Sequence, residues 1–252
     1  MSIADKLATI AENEQKVYDA GYERGNQAGY DAGRYDEWSD FWDAFQSNGT
    51  RTNYKYAFSN DGWNNDNFNP KHDIKVIDGF YMFRNNAALT KSITSKDLGI
   101  TIDFSQATEL RQAFNGAHIT KVGVVDLSNI NGDKANQMFA YNYSIKTIEK
   151  IISNESIDYT NVFEYAPALK NVIFEGVIGR NFNIKNSDSL SKESISSIIK
   201  ALSTTSSGLT ASFSLRAINK AFETTPGAAD GSQSEEWATL EGTKTNWTIS
   251  LV

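Results

Sequence analysis

Three stretches of this sequence share one phrase: AFNGAHITKVGVVDLS at 113–128, MFAYNYSIKTIEKIIS at 138–153 and VFEYAPALKNVIFEG at 162–176. In each stretch a phenylalanine is followed five or six residues later by an aliphatic residue, and then by apolar residues at strand-like spacing. These apolar residues are Ile119, Val122 and Val124, then Ile145, Ile148 and Ile151, then Leu169, Val172 and Phe174. A looser version, YMFRNNAALTKSI at 81–93, supplies Leu89 and Ile93.

The phenylalanines of these four phrases recur at a nearly constant distance. Phe83, Phe114, Phe139 and Phe163 are separated by 31, 25 and 24 residues. A period in the mid-twenties, made of one short strand and one return segment, is typical of a leucine-rich-repeat solenoid. One repeat cannot bury its own apolar face, so we expect the repeats to stack with these phenylalanines in their core. The sequence thus predicts an α/β solenoid with a short parallel sheet over residues 73–180.

Residues 181–252 continue the scheme with longer units of helix and strand. SLSKESISSIIKALS at 189–203 has apolar residues at helical spacing and a suitable N-cap in Ser191. LTASFSL at 209–215 alternates like a strand, and a helix-like stretch follows at 217–222. SEEWATLEGTKTNWTISLV at 234–252 again predicts a helix and then a strand. We expect this last strand, 247–252, to close the sheet as its edge.

Residues 1–46 predict one long helix that self-associates. Four glycines cost a lone helix about 1 kcal/mol each relative to alanine. Close packing against a partner helix would offset that cost, and the simplest partner is another copy of the chain. A flexible glycine-containing linker is the alternative. The predicted contact residues are a coiled-coil seam (Ile3, Leu7, Ile10, Val17), a glycine series (Gly21, Gly25, Gly29, Gly33) and an aromatic stripe (Trp38, Phe41, Trp42).

Residues 47–72 are rich in Asn, Asp and Gly, which form turns, and aromatic residues are interleaved with them. We expect an ordered irregular segment that caps the open end of the repeats. Aromatic faces in polar surroundings suit sugar rings or protein contacts. The candidate ligand-binding residues are therefore Tyr54, Tyr56 and Trp63 on this segment, and Tyr141 and Tyr143 beside a repeat turn. For Trp63 we favour the alternative role of covering the first coil.

Composition and motifs argue against several classes of function. The chain has no cysteine, and its two histidines, His72 and His118, lack the spacing of a metal site. The GxSxG, Walker A and GxGxxG motifs are absent. The Asn/Asp-rich stretch at 59–69 does not follow the order of an EF-hand loop. We therefore predict a protein that is not an enzyme, with no catalytic residue, no metal and no cofactor.

Charge and hydropathy set further expectations about partners. The net charge of the chain is −7. Most of it lies in residues 1–46, which carry ten acidic and four basic residues. No basic patch is available to bind nucleic acid. The N-terminus has no basic start followed by an apolar run, and no apolar stretch approaches the roughly 20 residues that span a bilayer. We expect no cleaved leader and no membrane insertion.

The phenylalanine phrases resemble the BspA-like class of leucine-rich repeats, AFxxCxxLxxIxIP, over about residues 80–180. The matching pairs are Ala113-Phe114, Met138-Phe139 and Val162-Phe163. The small or cysteine position is filled by Ala117, by Tyr141 or Asn142, and by Ala166. The closing proline is missing and the repeat lengths are irregular, so the likeness covers only part of that pattern.

The whole chain is also similar to proteins encoded in tail modules of gut-bacterial phages and prophages. The similar parts are Tyr18–Gly33, Phe41-Trp42 and the terminal strand Asn246–Val252. This resemblance implies a virion-associated protein that attaches to a host surface protein or glycan, forms a homo-oligomer (we expect a trimer) and contacts other virion proteins through its N-terminal helix. The alternatives are a purely structural virion component, a bacterial surface or extracellular adhesin, and a glycan-active enzyme.

Overall fold

The computed structural model describes residues 52–55, 57–59, 63–66, 68, 70, 72–222 and 234–252. The helix predicted for residues 1–46 lies outside the described residues. The described strands are β1 (Ile74–Lys75), β2 (Ser92–Ile93), β3 (Ile102–Asp103), β4 (Lys121–Asp126), β5 (Thr147–Ser153), β6 (Asn171–Gly176), β7 (Phe182–Ile184), β8 (Leu209–Phe213) and β9 (Trp247–Leu251). The described helices are α1 (Ser95–Leu98), α2 (Lys192–Ala201), α3 (Leu215–Ala221) and α4 (Glu235–Gly242).

The strands form parallel sheets with the orders β1-β3, β2-β4-β5-β6 and β7-β8-β9. The α/β class and the short parallel strands predicted from the sequence are confirmed. The prediction of a single sheet is wrong. The reason lies in the chain path, because residues 74–93 contribute one short strand to the two-stranded sheet and another to the four-stranded sheet before the chain returns.

The register of the four-stranded sheet aligns the apolar residues of successive phrases. Val122 pairs with Ile148, and Ile148 pairs with Val172. These three side chains are buried, as are those of Val125 and Ile151 further along the strands. Val124, which the alternating pattern placed inside, is 46% exposed. Successive side chains of a strand point to opposite faces, so burial of Val122 and Val125 needs a local irregularity, and Val124 falls on the outer face.

The phenylalanines of the four phrases form one stack in the core. The ring centroids of Phe83 and Phe114 are 5.2 Å apart, those of Phe114 and Phe139 are 5.1 Å apart, and those of Phe139 and Phe163 are 5.8 Å apart. The rings of each pair lie within 11° of parallel. All four side chains are at most 1% exposed. Stacking on the neighbouring phrases therefore buries the apolar group that one phrase could not bury alone.

The stack begins one step earlier than the sequence indicated. Phe58 lies 5.0 Å from Phe83 with 28° between the rings, and its backbone amide donates to the Met82 carbonyl at 2.8 Å. Phe68 and Trp63 pack against Phe58 edge-on. The segment at 47–72 thus supplies a phenylalanine equivalent to the others, although no aliphatic phrase follows Phe58 in the sequence.

The chain around each of the four phenylalanines, which we call a phenylalanine turn, has an unusual backbone. Residues two before the phenylalanine have positive φ in three turns, at Tyr81, Gln112 and Gln137. Residues two after it have positive φ in all four turns, at Asn85, Gly116, Tyr141 and Tyr165. Alternate amides donate to the next turn, as Phe114 does to Met138 at 2.8 Å and Gly116 to Ala140 at 3.0 Å. Residues with a left-handed backbone give these turns a shape in which one turn hydrogen-bonds to the next.

Replacing Gln112 with glycine is expected to raise the free energy of unfolding by about 1 kcal/mol. The φ of Gln112 is 55°, which lies in the left-handed region. That conformation costs a residue with a Cβ roughly 1–2 kcal/mol. Urea unfolding measures the change. The matched control is Gly116→Ala, which should destabilise, because its φ is 64° and the new Cβ would lie 2.6 Å from Oδ1 of Asn85. A loss of stability in Gln112→Gly would contradict this account of the turn.

Two buried asparagines complete the turns. The Asn86 amide donates to the Phe58 carbonyl at 2.9 Å and accepts from the Leu89 amide at 2.7 Å. The Asn142 amide donates to the Phe114 carbonyl at 3.2 Å and accepts from the Ile145 amide at 2.9 Å. Asn142 is fully buried whereas Tyr141 is 39% exposed. Of these two residues, Asn142 is therefore the one that lies in the core.

Helix α2 covers the edge of the four-stranded sheet. The predicted N-cap is confirmed, because the Ser191 hydroxyl accepts from the Ser194 amide. On the edge strand β6, the Val172 amide donates to Ser194 Oγ at 2.9 Å and the Phe174 amide donates to Ser197 Oγ at 2.8 Å. Two hydroxyls at i, i+3 thus take the place of a further strand, which protects an edge that would otherwise pair with another chain.

The C-terminal units follow the predicted order of helix and strand. Strand β8 ends at Phe213, earlier than the predicted strand, because the Ser214 side chain accepts from the Ala217 amide and caps α3. Strand β9 lies at the edge of its sheet beside β8, as predicted. Trp237 of α4 is fully buried against Phe213 and Phe222. None of the helices in the described ranges has the length and apolar character needed to cross a bilayer.

Candidate ligand-binding surface

The third and fourth phenylalanine turns bring a pair of exposed tyrosines together. Tyr141 and Tyr165 each stand two residues after their phenylalanine. Their ring centroids are 5.4 Å apart with 21° between the planes, and the side chains are 39% and 48% exposed. The Tyr141 amide donates to the Glu164 carbonyl at 2.7 Å, which sets the two turns side by side. A backbone hydrogen bond between the two turns therefore holds the two aromatic rings next to each other at the surface.

Two polar side chains border the tyrosine pair. The Gln137 amide donates to the Glu164 carboxylate at 3.3 Å, and this carboxylate lies near enough to Tyr141 to influence its pKa. Desolvation raises the pKa of Tyr141, and the negative charge of Glu164 raises it further. We call these residues, together with the 61% exposed Tyr143, the tyrosine cluster: Gln137, Tyr141, Tyr143, Glu164 and Tyr165.

The backbone under the tyrosine pair is strained. Tyr141 has a φ of 53° and Tyr165 a φ of 52°, a region that bulky residues seldom adopt. The equivalent residues of the first two turns are Asn85 and Gly116, which are the residue types that tolerate this conformation best. Such strain costs about 1–3 kcal/mol per residue and concentrates at functional sites. The rings are thus kept at positions where the fold alone favours glycine or asparagine.

The structure separates the candidate ligand-binding residues into exposed and buried ones. Tyr141 and Tyr143 are exposed. The prediction that Tyr54 is an exposed aromatic is wrong, because it is 2% exposed and stacks on Phe58 at 6.2 Å. Trp63 is half-buried against Phe58 and Phe68, which fits the covering role favoured for it. Tyr56 lies outside the described residues.

The predicted self-association residues also lie outside the described residues. They are Ile3, Leu7, Ile10, Val17, Gly21, Gly25, Gly29, Gly33, Trp38, Phe41 and Trp42. The self-association of the N-terminal segment stays a prediction.

Sequence reasoning missed Tyr165, Gln137 and Glu164. A usable signal was present, because MFAY at 138–141 and VFEY at 162–165 both place a tyrosine two residues after the phenylalanine. Aligned phrases in adjacent coils put equivalent residues next to each other. Tyr165 could therefore have been paired with Tyr141 from the sequence. The contact of Gln137 with Glu164 depends on side-chain conformation, which the spacing does not reveal.

A second aromatic and charged group lies at the first two phenylalanine turns. Phe80 and Tyr81 stack at 3.9 Å, and the guanidinium groups of Arg111 and Arg84 lie 5.3 and 4.2 Å from their respective ring centroids. Glu109 accepts two hydrogen bonds from the Arg111 guanidinium, at 2.9 and 2.7 Å, and one from the Arg111 backbone amide at 3.0 Å. It also pairs with Lys134 at 3.2 Å. Phe80 and Tyr81 also take part in further contacts.

Glu109→Gln is expected to destabilise the protein at neutral pH by about 1 kcal/mol, a figure reduced for the partial exposure of its partners. Partial burial alone would raise the pKa of Glu109, but hydrogen bonds from Arg111 and Lys134 outweigh it and hold that pKa below its ordinary value. A carboxyl group whose pKa is lowered by folding stabilises the fold at any pH above its unfolded-state pKa. That stabilisation is lost as the pH falls through the folded-state pKa. Urea unfolding at several pH values should therefore show the two proteins converging on acidification. A difference independent of pH would contradict the assignment.

Other surfaces of the described residues are weaker candidates for a binding site. An open groove of about 580 Å³ runs between β6 and α2, but Ser197 in its lining already bonds the β6 backbone. Within the described ranges, no three His, Cys, Asp or Glu side chains are grouped to hold a metal ion. His72 and His118 are both exposed and lie in different parts of the chain.

No protein-family model, curated protein or solved structure matches this chain. The resemblance to BspA-like repeats and to phage tail proteins therefore remains a prediction from the residues that carry it.

Proposed function

We propose that this chain is a non-enzymatic phage virion protein of the tail-fibre or baseplate type, which attaches to a host surface through a leucine-rich-repeat solenoid. The observation that carries the proposal is the exposed Tyr141–Tyr165 pair on a rigid, coil-to-coil bonded scaffold. The stacked phenylalanines support the solenoid, because each coil buries its aromatic residue against its neighbours. Binding residues are commonly carried on turns that a rigid scaffold positions.

Self-association through residues 1–46 is part of the same proposal. Several copies of a weak site on one particle would raise the overall avidity by about 10²–10⁴ when the geometry allows simultaneous contact. We expect light scattering of the full chain to give a trimer. A monomer at micromolar concentration would contradict the proposed role of the N-terminal segment.

Binding of the fluorescently labelled full chain to a panel of gut bacterial isolates tests the attachment function. We expect saturable binding to some isolates. Incubation of bound cells should release no soluble saccharide, because the proposal includes no catalysis. If the chain binds none of the isolates but is incorporated into the phage particle, the purely structural virion component is favoured instead. Release of saccharide would favour the glycan-active enzyme.

A further inference from the structure

We infer that the tyrosine cluster is a binding site for an uncharged sugar chain, an inference that rests on the proposed attachment function and names its ligand class. The cluster joins aromatic faces with hydrogen-bonding groups within a few ångströms. Tyr141 and Tyr165 supply the rings, and Glu164 and Gln137 supply a carboxylate and an amide. Sugar rings present an apolar C–H face and a rim of hydroxyls, which this combination fits.

The neighbouring turn has a glycine at the position equivalent to Tyr141 and Tyr165. The Gly116 amide donates to the Ala140 carbonyl, so Gly116 takes the place next to Tyr141 on the side away from Tyr165. Gly116 has no side chain to cover that face of the Tyr141 ring. Asn85 follows in the next turn, and its Oδ1 leans over the Gly116 Cα, 2.6 Å from where a Cβ would stand. The Asn85 amide oxygen thus lies over Gly116, in the turn that hydrogen-bonds to the turn of Tyr141.

The exposed residues of this surface favour sugar over protein as the ligand. Among the described residues, the large apolar side chains exposed on the phenylalanine turns are tyrosines, whereas the aliphatic Val124 and Ile173 lie in strands β4 and β6. Protein contacts have apolar centres that exclude water, with charged groups depleted there. Here the rings are accompanied by the Glu164 carboxylate, which would be costly to bury under a protein but can accept hydroxyl hydrogens from a sugar.

The charge of Glu164 also selects among sugars. A uronic acid or phosphorylated sugar placed on Tyr141 would bring a second negative charge next to that carboxylate, and like charges at such distances repel. We therefore assign the site to neutral polysaccharide.

The test uses the full chain, an isolate that it binds and two treatments of the cells. Mild periodate oxidation of the surface glycans is expected to abolish binding, and proteinase digestion is expected to leave it intact. The protease-treated neutral wall polysaccharide of that isolate, added as the soluble probe, should bind the chain directly. Hyaluronate, an acidic polysaccharide, should not bind.

A double variant, Tyr141→Asn with Tyr165→Asn, tests the site itself. Asparagine tolerates the left-handed backbone and already stands at the equivalent position of the first turn. The melting temperature of the double variant should therefore equal or exceed that of the parent protein. Affinity for the wall polysaccharide should fall by about tenfold or more. The matched control, Tyr141→Phe with Tyr165→Phe, keeps the ring faces and should stay within about threefold of the parent.

The outcomes separate this inference from the proposed function. Binding that survives periodate and is lost after proteinase treatment overturns the sugar assignment and leaves the attachment function standing. Unchanged polysaccharide affinity in the double asparagine variant overturns this site. Absence of binding to every isolate overturns the attachment function and the inference with it.

Discussion

Replacing Phe139 with alanine is expected to lower the free energy of unfolding by about 3–5 kcal/mol, the range for a large core aromatic residue cut to a methyl group. Phe139 lies between Phe114 and Phe163 at 5.1 and 5.8 Å, with both rings nearly parallel to its own. Its truncation leaves a cavity inside the stack and removes the contacts of two neighbours at once. Chemical unfolding followed by circular dichroism measures the loss.

Two controls separate the stack from a general effect of substitution. Phe139→Leu keeps most of the apolar volume and should cost less than half as much as the alanine variant. Tyr143→Ala removes a side chain that is 61% exposed and should change stability by no more than about 0.5 kcal/mol. A cost below about 1 kcal/mol for Phe139→Ala would mean that the aromatic stack does not hold the coils together.

The positions of the phenylalanines could be predicted because burial follows sequence period in a repeated structure. Phe114, Phe139 and Phe163 each precede an aliphatic phrase of similar length, so equivalent residues fall on top of each other. Phe58 was missed because Asn, Asp and Gly follow it, and such a segment reads as turn rather than as a coil. Its place in the stack depends on the Phe83 ring already in position, which is tertiary information.

The shape of the phenylalanine turns could not be predicted from residue type. Positive φ is expected at glycine and asparagine, and it occurs at Gly116 and Asn85. It also occurs at Tyr141 and Gln137, where single-residue preference gives no reason for it. Hydrogen bonds between coils impose the conformation and outweigh the local cost. Tertiary context therefore decides the backbone at the positions where the candidate site is built.

The length of the segment after each phenylalanine bears on whether a buried asparagine stands three residues after that phenylalanine, as Asn86 and Asn142 do. In the first and third turns the aliphatic residue comes six residues after the phenylalanine, and Asn86 or Asn142 accepts from the amide of that residue. In the second turn the interval is five residues, and Ala117 is sufficient. In the two longer segments the asparagine side chain is the acceptor for the buried amide of the aliphatic residue.

The fourth turn solves the same problem with a different pair of residues. Its interval is six residues, yet Ala166 stands where the others have asparagine, and Pro167 follows. The Leu169 amide donates to the Ala166 carbonyl at 3.3 Å, and the Ala166 carbonyl also accepts from the Ser187 hydroxyl at 2.9 Å. The backbone itself thus provides the acceptor when a proline shapes the segment.

Asn142→Ala is therefore expected to destabilise the protein by about 2–3 kcal/mol. The Phe114 carbonyl keeps a second donor in the Ala117 amide, but the buried Ile145 amide loses the acceptor that Asn142 provides at 2.9 Å. A buried donor left unsatisfied costs about 1–3 kcal/mol, and the lost side-chain volume adds to it. The double variant Asn142→Ala with Tyr143→Pro copies the fourth turn and should recover part of the loss in urea unfolding. If alanine alone costs less than about 0.5 kcal/mol, segment length does not explain the buried asparagines, because the Ile145 amide then needs no side-chain acceptor.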